Sequence, residues 1–370
     1  MTADLALVGA YSMSNYGDQL YPELIARLAA EQQPGFSARH YGLAAGALEN
    51  GLPVDPLRSV PRDAPTRVLV GGGDLIRPDR ITVALDHLEV PSEQRHRSFK
   101  HRLRAEVYQR RVMLPGPGPW LPAAGWGARR TVFASVGVHA LPATPLVRRA
   151  LSHVDVAWVR TPAAAERLLA AGLPAGRSLL APDMAFAIAK LFDVPSLQRQ
   201  GTELLQPFAR RGPVLVLQVA PFHGWDRPRL VRLLQRLSDV DVVLLPLGRY
   251  AGEDQLMQAA SREVPVACLG GLRASEVTAV LAAAGAVFTT SMHAAIIATC
   301  FRTPVLVPSV EKTASAFSAC PQPPPLLEAA DCALPGLVRG ALGHRSPPPA
   351  EDNAAAVRAA FRQVWDVLSG

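Results

Sequence analysis

Ala286-Val287-Phe288-Thr289-Thr290-Ser291-Met292-His293-Ala294-Ala295 passes from an apolar, strand-like run into a helix of small residues that continues to Cys300. The change of period puts a histidine just past the carboxyl end of a strand, at the start of the helix that follows. Ligands of open α/β sheets bind at such junctions, because diverging strand ends leave a crevice and a helix start offers N–H groups without intrahelical partners. The segment predicts a parallel sheet covered by helices and marks where its chemistry is to be sought.

Working outward, short apolar runs alternate with amphipathic stretches along the whole chain, which is the pattern of an α/β protein. Strands are expected at Leu5–Val8, Arg67–Val70, Thr131–Val136, Val154–Val159 and Ser178–Leu180 in the first half. In the second half they are expected at Val214–Val219, Val240–Leu245, Val266–Leu269, Val287–Thr289 and Pro304–Val307. Two such sets in 370 residues imply two Rossmann-like domains, 1–198 and 199–370, with a basic insertion at about 78–128 in the first. Leu114–Gly127, rich in Pro and Gly, reads as a loop. The stretch from Glu351 to Leu368 places Val357, Phe361, Val364 and Leu368 on one helical face and is expected to pack back across the first domain.

Composition narrows the class. With 49% apolar and 19% charged residues the chain can bury large cores and is not disordered. Its cysteines, Cys268, Cys300, Cys320 and Cys332, form no CxxC pair or metal-ligand spacing and read as reduced thiols. Leu5-Ala6-Leu7-Val8-Gly9 reads as a first buried strand rather than a signal peptide, so a cytoplasmic protein is expected. Val277 to Phe301 carries no Asp, Glu, Lys or Arg, yet Gly285, Thr289-Thr290-Ser291 and His293 interrupt it, and a buried helix, strand and helix fit better than a membrane span. The net charge of +7 is almost wholly arginine, since only Lys100, Lys190 and Lys312 are lysine. The basic segment Arg95–Arg111 reads as a solvated helix face, with a phosphate-binding surface for an anionic acceptor or a lipid-phosphate headgroup as the alternative. Nucleic acid is not expected as a partner, because only Phe99 and Tyr108 interleave with these charges.

Several loops after predicted strands carry polar residues. Asn15, Gly17 and Asp18 follow the first strand, where they would cap a helix or bind substrate hydroxyls. Gly71, Gly72, Gly73 and Asp74 follow the second. Three glycines can turn N–H groups toward a phosphate or carboxylate, but the spacing is not GxGxxG and no P-loop occurs, so a dinucleotide site is unsupported. Arg160 ends another strand, where paired guanidinium donors suit a carboxylate or phosphate, and Asp183 and Lys312 also follow apolar runs. A lone histidine such as His293 would ordinarily be read as a satisfied core or cap residue.

Taken in order, the Asn-x-Gly-Asp loop, the Gly-Gly-Gly loop, the strand ending in Arg160, the Asp183-x-Ala-Phe element, the Ser291-x-His293 helix start and the downstream Lys312 resemble the polysaccharide pyruvyl transferase family over Leu5 to Lys312. The resemblance implies a GT-B-like fold, two Rossmann-like domains facing a cleft. It implies transfer of the enolpyruvyl unit of phosphoenolpyruvate, a co-substrate, to hydroxyls of a sugar or glycan acceptor, closing a pyruvate ketal without a redox cofactor. It further implies that His293 is the general acid or base, and that Arg160 and Lys312 hold the donor's phosphate and carboxylate. On the same resemblance Gly71, Gly72, Gly73, Asp74 and Ser291 face the donor, and Asn15, Gly17 and Asp18 the acceptor, with the glycine loop reaching the acceptor side as well.

The chain departs from the family pattern where Ser-Arg-Leu-His is common, because Ser291 and Met292 replace the arginine and leucine. Thr161 stands where an aspartate often follows the strand arginine. Either an arginine from the insertion supplies the missing charge, or the donor has changed. A GT-B glycosyltransferase using a nucleotide sugar and a non-catalytic binding protein are the alternatives. Asp239-Val240-Asp241 resembles a DxD metal motif, but it leads straight into an apolar strand and reads as a turn. No metal is expected, because the chain has no HExxH motif, cysteine cluster or dense carboxylate group. No transmembrane partner is expected, and homo-oligomerisation is left open.

Overall fold

The computed structural model describes residues 5–13, 15–61, 67–90, 99–122, 125–248, 252–307, 315, 317–321, 323, 327–328, 333–344, 346 and 351–370. Lys312, Cys332 and the first residues of the basic segment, Arg95 to Ser98, lie outside them.

Eight strands form the first sheet: β1 Leu5–Val8, β2 Arg39–Gly42, β3 Gly46–Ala47, β4 Pro53–Pro56, β5 Arg67–Gly71, β6 Arg130–Val136, β7 Val156–Val159 and β8 Ser178–Leu180, in the order β3-β4-β2-β1-β5-β6-β7-β8. All neighbours are parallel except β3 with β4. Every side chain of β1 is buried, as a strand covered on both faces requires. A second sheet holds β9 Leu215–Gln218, β10 Val242–Leu244, β11 Ala267–Cys268, β12 Ala286–Thr289, β13 Val305–Val307 and β14 Leu327–Glu328 in the order β11-β10-β9-β12-β13-β14, parallel throughout. Among the parallel strands of each sheet the order reverses once, at β1/β5 and at β9/β12, and such switch points are where a ligand crevice opens.

All ten strands expected from the apolar runs are present. The sequence hid β2, β3, β4 and β14, because Arg39-His40-Tyr41-Gly42 and Pro53-Val54-Asp55-Pro56 lack an apolar run and the other two are dipeptides. Three of these build one edge of the first sheet, where strands are short and polar. The uncharged stretch becomes the Ala274–Ala283 helix, β12 and the Met292–Cys300 helix. Among the described residues no helix is long and apolar enough to cross a membrane. Leu114–Gly127 contains no regular element among its described residues, yet it packs firmly, burying Trp120, Leu121 and Trp126 in the core beneath the first sheet.

The halves are joined tightly. The Tyr16 hydroxyl of the first half meets the Thr278 hydroxyl of the second at 2.9 Å, and the Val194–Leu205 helix, which crosses from one half to the other, lies along Ala274–Ala283, so close that a Cβ on Gly201 would stand 1.9 Å from the Ala279 carbonyl oxygen. The last helix, Glu351–Ser369, returns to the first sheet and buries Val357, Phe361, Val364 and Leu368 against β5, β6 and β7. Trp365 meets Phe36 edge-on at 5.1 Å, and Arg358 pairs with Glu31 at 2.6 Å.

Candidate functional site

Five strand ends converge on one cleft, and each is followed by a turn whose capping chemistry the sequence dictates. After β1, the Asn15 side chain accepts from the Gly17 N–H and starts the Tyr16–Gln32 helix. After β7, Thr161 accepts from the Ala164 N–H and Pro162 takes the first helical position, which leaves Arg160 at the strand end. After β8, Asp183 accepts from the Ala185 N–H at 2.9 Å, and the Ser135 hydroxyl accepts from Met184 N at 2.9 Å. After β12, Ser291 accepts from the Ala294 N–H, so His293 begins a helix with its ring turned toward the first half. The glycine loop follows β5.

The centre is Tyr21, inside the first helix and only 1% exposed. Its hydroxyl stands 3.0 and 2.9 Å from the two Asp183 carboxylate oxygens, 3.0 Å from His293 Nε2 and 3.3 Å from Arg160 Nη1. The hydroxyl proton belongs to Asp183, which can only accept when ionised. The Tyr21 oxygen then accepts from Arg160, and His293 Nε2 lies within reach of both the Tyr21 hydroxyl and, at 3.5 Å, Arg160 Nη1. Arg160 Nη1 also donates to Asp183 at 2.8 Å, and Nη2 donates to Asp74. Burial alone would weaken the Arg160 charge, but the Asp74 and Asp183 carboxylates hold it firmly protonated. Burial, and after it the Asp183 charge, pushes the Tyr21 hydroxyl well above the ordinary phenol value. Tyr21 therefore stays neutral and relays position rather than charge.

The tight fit around this centre depends on glycine. A Cβ on Gly17 would lie 2.3 Å from His293 Nδ1, so only glycine leaves room for the imidazole. Gly72 has φ of +84°, and a side chain there would strike the Tyr21 ring at 2.1 Å. The resemblance implies that Gly71 and Gly72 face the donor; the structure sets both back from the cleft wall. The Gly72 N–H is committed to the Ala134 carbonyl at 3.1 Å, and the Gly71 carbonyl accepts from Tyr11. Gly73 and Asp74 do line it, with Asn15, Asp18, Arg160, Ser291 and His293. Gly17 stands against His293 instead, and Lys312 is outside the described residues.

Three participants escaped the sequence reading. Tyr21 looks like a core aromatic. Gln218 closes β9 and is 2% exposed, and its Oε1 accepts from the Thr289 hydroxyl at 2.6 Å, from Thr290 N and Ser291 N at 3.0 Å each, and from the Thr290 hydroxyl at 3.3 Å. The one detectable signal was a polar residue inside an apolar strand, Val214-Leu215-Val216-Leu217-Gln218-Val219. Glu253, 5% exposed, accepts from Leu247 N at 2.6 Å and from the Gln218 side chain, and burial pushes its carboxyl up to about 7. Burial does the same to Asp18, also to about 7, with Asn15 Nδ2 donating to it at 2.7 Å. Both carboxyls can exchange a proton near neutrality.

The cleft between the halves has a cavity volume of about 150 Å³. Trp120 and the half-exposed Phe222 add aromatic surface to a wall that is otherwise polar. Among the described residues no group of three or more His, Cys, Asp and Glu is arranged to hold a metal ion. The arrangement can move a proton at His293 while Asp183, Tyr21 and Arg160 fix the ring from behind.

Known proteins place this geometry. UDP-GlcNAc 2-epimerase of Methanocaldococcus jannaschii, in complex with UDP-GlcNAc and UDP, superposes with a TM-score of 0.54 at 10% identity over 98% of this chain and 99% of that one. Anabaena HepE in complex with UDP-glucose gives 0.50 at 13% identity over 99% and 96%. At such identity the likeness is one of fold, and it establishes the GT-B-like architecture of two Rossmann-like domains. Comparison with curated proteins gives no match. The polysaccharide pyruvyl transferase family model matches residues 15–309, from the cap of the first helix to beyond the His293 helix, and so the chain belongs to this family of carbohydrate-modifying transferases.

Proposed function

We propose that the protein transfers the enolpyruvyl unit of phosphoenolpyruvate to hydroxyls of a sugar or glycan acceptor and closes a pyruvate ketal. The observation that carries this reading is the meeting of His293 with Tyr21, Asp183 and Arg160 at the strand ends of both sheets. Two acceptor hydroxyls lose protons in the overall reaction. One proton is gained by the C3 methylene of the donor and the other leaves with phosphate. Two C2–O bonds form as the bond from C2 to the phosphate oxygen breaks. His293 carries a proton in this exchange, a role that contributes roughly 10²–10⁴ in rate. Arg160 receives the donor's phosphate or carboxylate by giving up Asp74, the more exposed of its two carboxylate partners. Lys312 joins it on sequence grounds. Asn15 and neutral Asp18 offer hydrogen bonds to the acceptor.

A changed donor, such as a nucleotide sugar, is the second reading. Two observations favour it: Ser291 spends its oxygen on a helix cap where a cation is usual, and Arg160 is already matched by two carboxylates. Thermal-shift titration separates the two. Phosphoenolpyruvate at 100 times its dissociation constant is expected to add roughly 2.7 kcal/mol of stability. Arg160→Lys, which keeps the buried charge but loses the planar fork, should abolish that gain. Stabilisation by UDP-sugars with none from phosphoenolpyruvate would transfer the assignment to the second reading.

A further inference from the structure

The Phe99–Val112 helix carries a surface that the cleft does not use. It packs through Ala105 against the Arg80–His87 helix, and Tyr108 stacks on His87 at 5.3 Å with its hydroxyl 2.8 Å from Nδ1. At 3.6 residues per turn, that buried edge leaves Phe99, Leu103 and Val107, spaced four apart, on the opposite side. They are 81%, 51% and 44% exposed. Of the eight large hydrophobic residues exposed among the described ones, three share this face, so it is a stripe and not scatter.

Around the stripe stand Lys100, Arg102, Arg104, Arg110 and Arg111, all exposed, against a single acid, Glu106, which Arg110 holds at 2.6 Å. A solvated helix turns apolar residues inward and charges outward, whereas this one turns both outward. Phenylalanine and leucine flanked by lysine and arginine suit the interface of an anionic bilayer, where apolar side chains enter the acyl boundary and cations meet lipid phosphates. A second copy of the same face does not fit, because five cations would oppose five. We propose that the Phe99–Val112 helix docks the protein peripherally on an anionic phospholipid surface. The surface lies one helix from the cleft, since Arg80–His87 supplies Val83 and Asp86 to the cleft wall. An acceptor carried on a lipid would meet an enzyme already held beside it. The docking does not depend on the identity of the donor.

Co-sedimentation of the full-length protein with vesicles tests this, using phosphatidylcholine alone and an equal mixture of phosphatidylcholine with phosphatidylglycerol. Binding is expected only to the anionic vesicles and should weaken as salt rises. Phe99→Glu/Leu103→Glu should lower the partition coefficient at least ~10-fold while leaving the melting temperature unchanged, because both side chains face solvent. Arg104→Glu/Arg111→Glu should remove the preference for anionic lipid. Absence of wild-type binding, equal binding to both vesicle types, or wild-type partitioning by the Phe99/Leu103 variant would overturn the proposal. So would a dimer in light scattering that the Phe99/Leu103 variant dissociates.

Discussion

The two walls of the cleft are built by different physics. The first half contributes ion pairs, with Arg160 between Asp74 and Asp183, and a neutral Tyr21 between Asp183 and His293. The second half contributes Gln218, Thr289, Thr290 and Ser291, joined to backbone N–H groups, and a Glu253 carboxyl that burial brings near neutrality. One wall derives its rigidity from charge pairing and the other from hydrogen bonds to the strand end. Among the described residues, His293 reaches from the second wall into the network of the first. A reaction that develops charge would meet fixed ions on one side and adaptable dipoles on the other.

The largest effect that would break this contrast is expected in the first wall. Asp183→Ala leaves the buried guanidinium short of a partner and should cost about 3–5 kcal/mol, read from urea denaturation. A loss under ~1 kcal/mol would mean that Asp74 alone holds Arg160, and the locked-ion description would fail. His293→Ala should lower turnover roughly 10²–10⁴-fold while the denaturation midpoint shifts little, since a side chain at the cleft is exchanged for one hydrogen bond. Retained turnover would remove His293 from the chemistry. Gly17→Ala, assayed the same way, sharpens the point: a methyl group against Nδ1 should cost about 10² in kcat by displacing the ring, without touching a charge.

Effects outside the locked ions should be smaller. Gln218→Ala strips the shared acceptor from Thr289, Thr290 and Ser291 and should destabilise by about 1–3 kcal/mol, with activity falling because the turn before His293 loosens. The smallest is a pH effect. Asp18 and Glu253 keep their protons to about pH 7 when folded, while the unfolded chain releases them near pH 4. Between those values the folded state binds more protons, so the stability these groups contribute is lost as pH rises from about 4 to about 7. Asp18→Asn should flatten the fall in melting temperature over that window, by on the order of 1 kcal/mol once cleft water relaxes part of the burial penalty. An unchanged slope would show that Asp18 is ionised in the folded protein.

How far this was legible follows from the type of signal each residue gives. Strands covered on both faces announce themselves as apolar runs, and residues just past their ends can be placed by that fact alone. Arg160, Asp74, Asn15, Asp18, Ser291 and His293, picked out in the sequence, lie on the cleft wall. Tyr21 was not picked out, because an aromatic on the inner face of a helix has the same spacing whether it fills a core or orders a site. Gln218 and Glu253 act through partners distant in sequence, at Thr289 to Ser291 and Leu247, and no local pattern reports such pairing. The edge strands β2 and β4 were hidden for the opposite reason: they are too polar to resemble strands. That Arg160 is already neutralised by two carboxylates is a property of the assembled cleft.

The Glu351–Ser369 helix has a consequence for the order in which the protein is made. It covers β5, β6 and β7 with Val357, Phe361, Val364 and Leu368, so the core of the first half is finished by residues translated after the whole of the second. On the ribosome the second half can close first, and the first half must wait with part of its sheet uncovered.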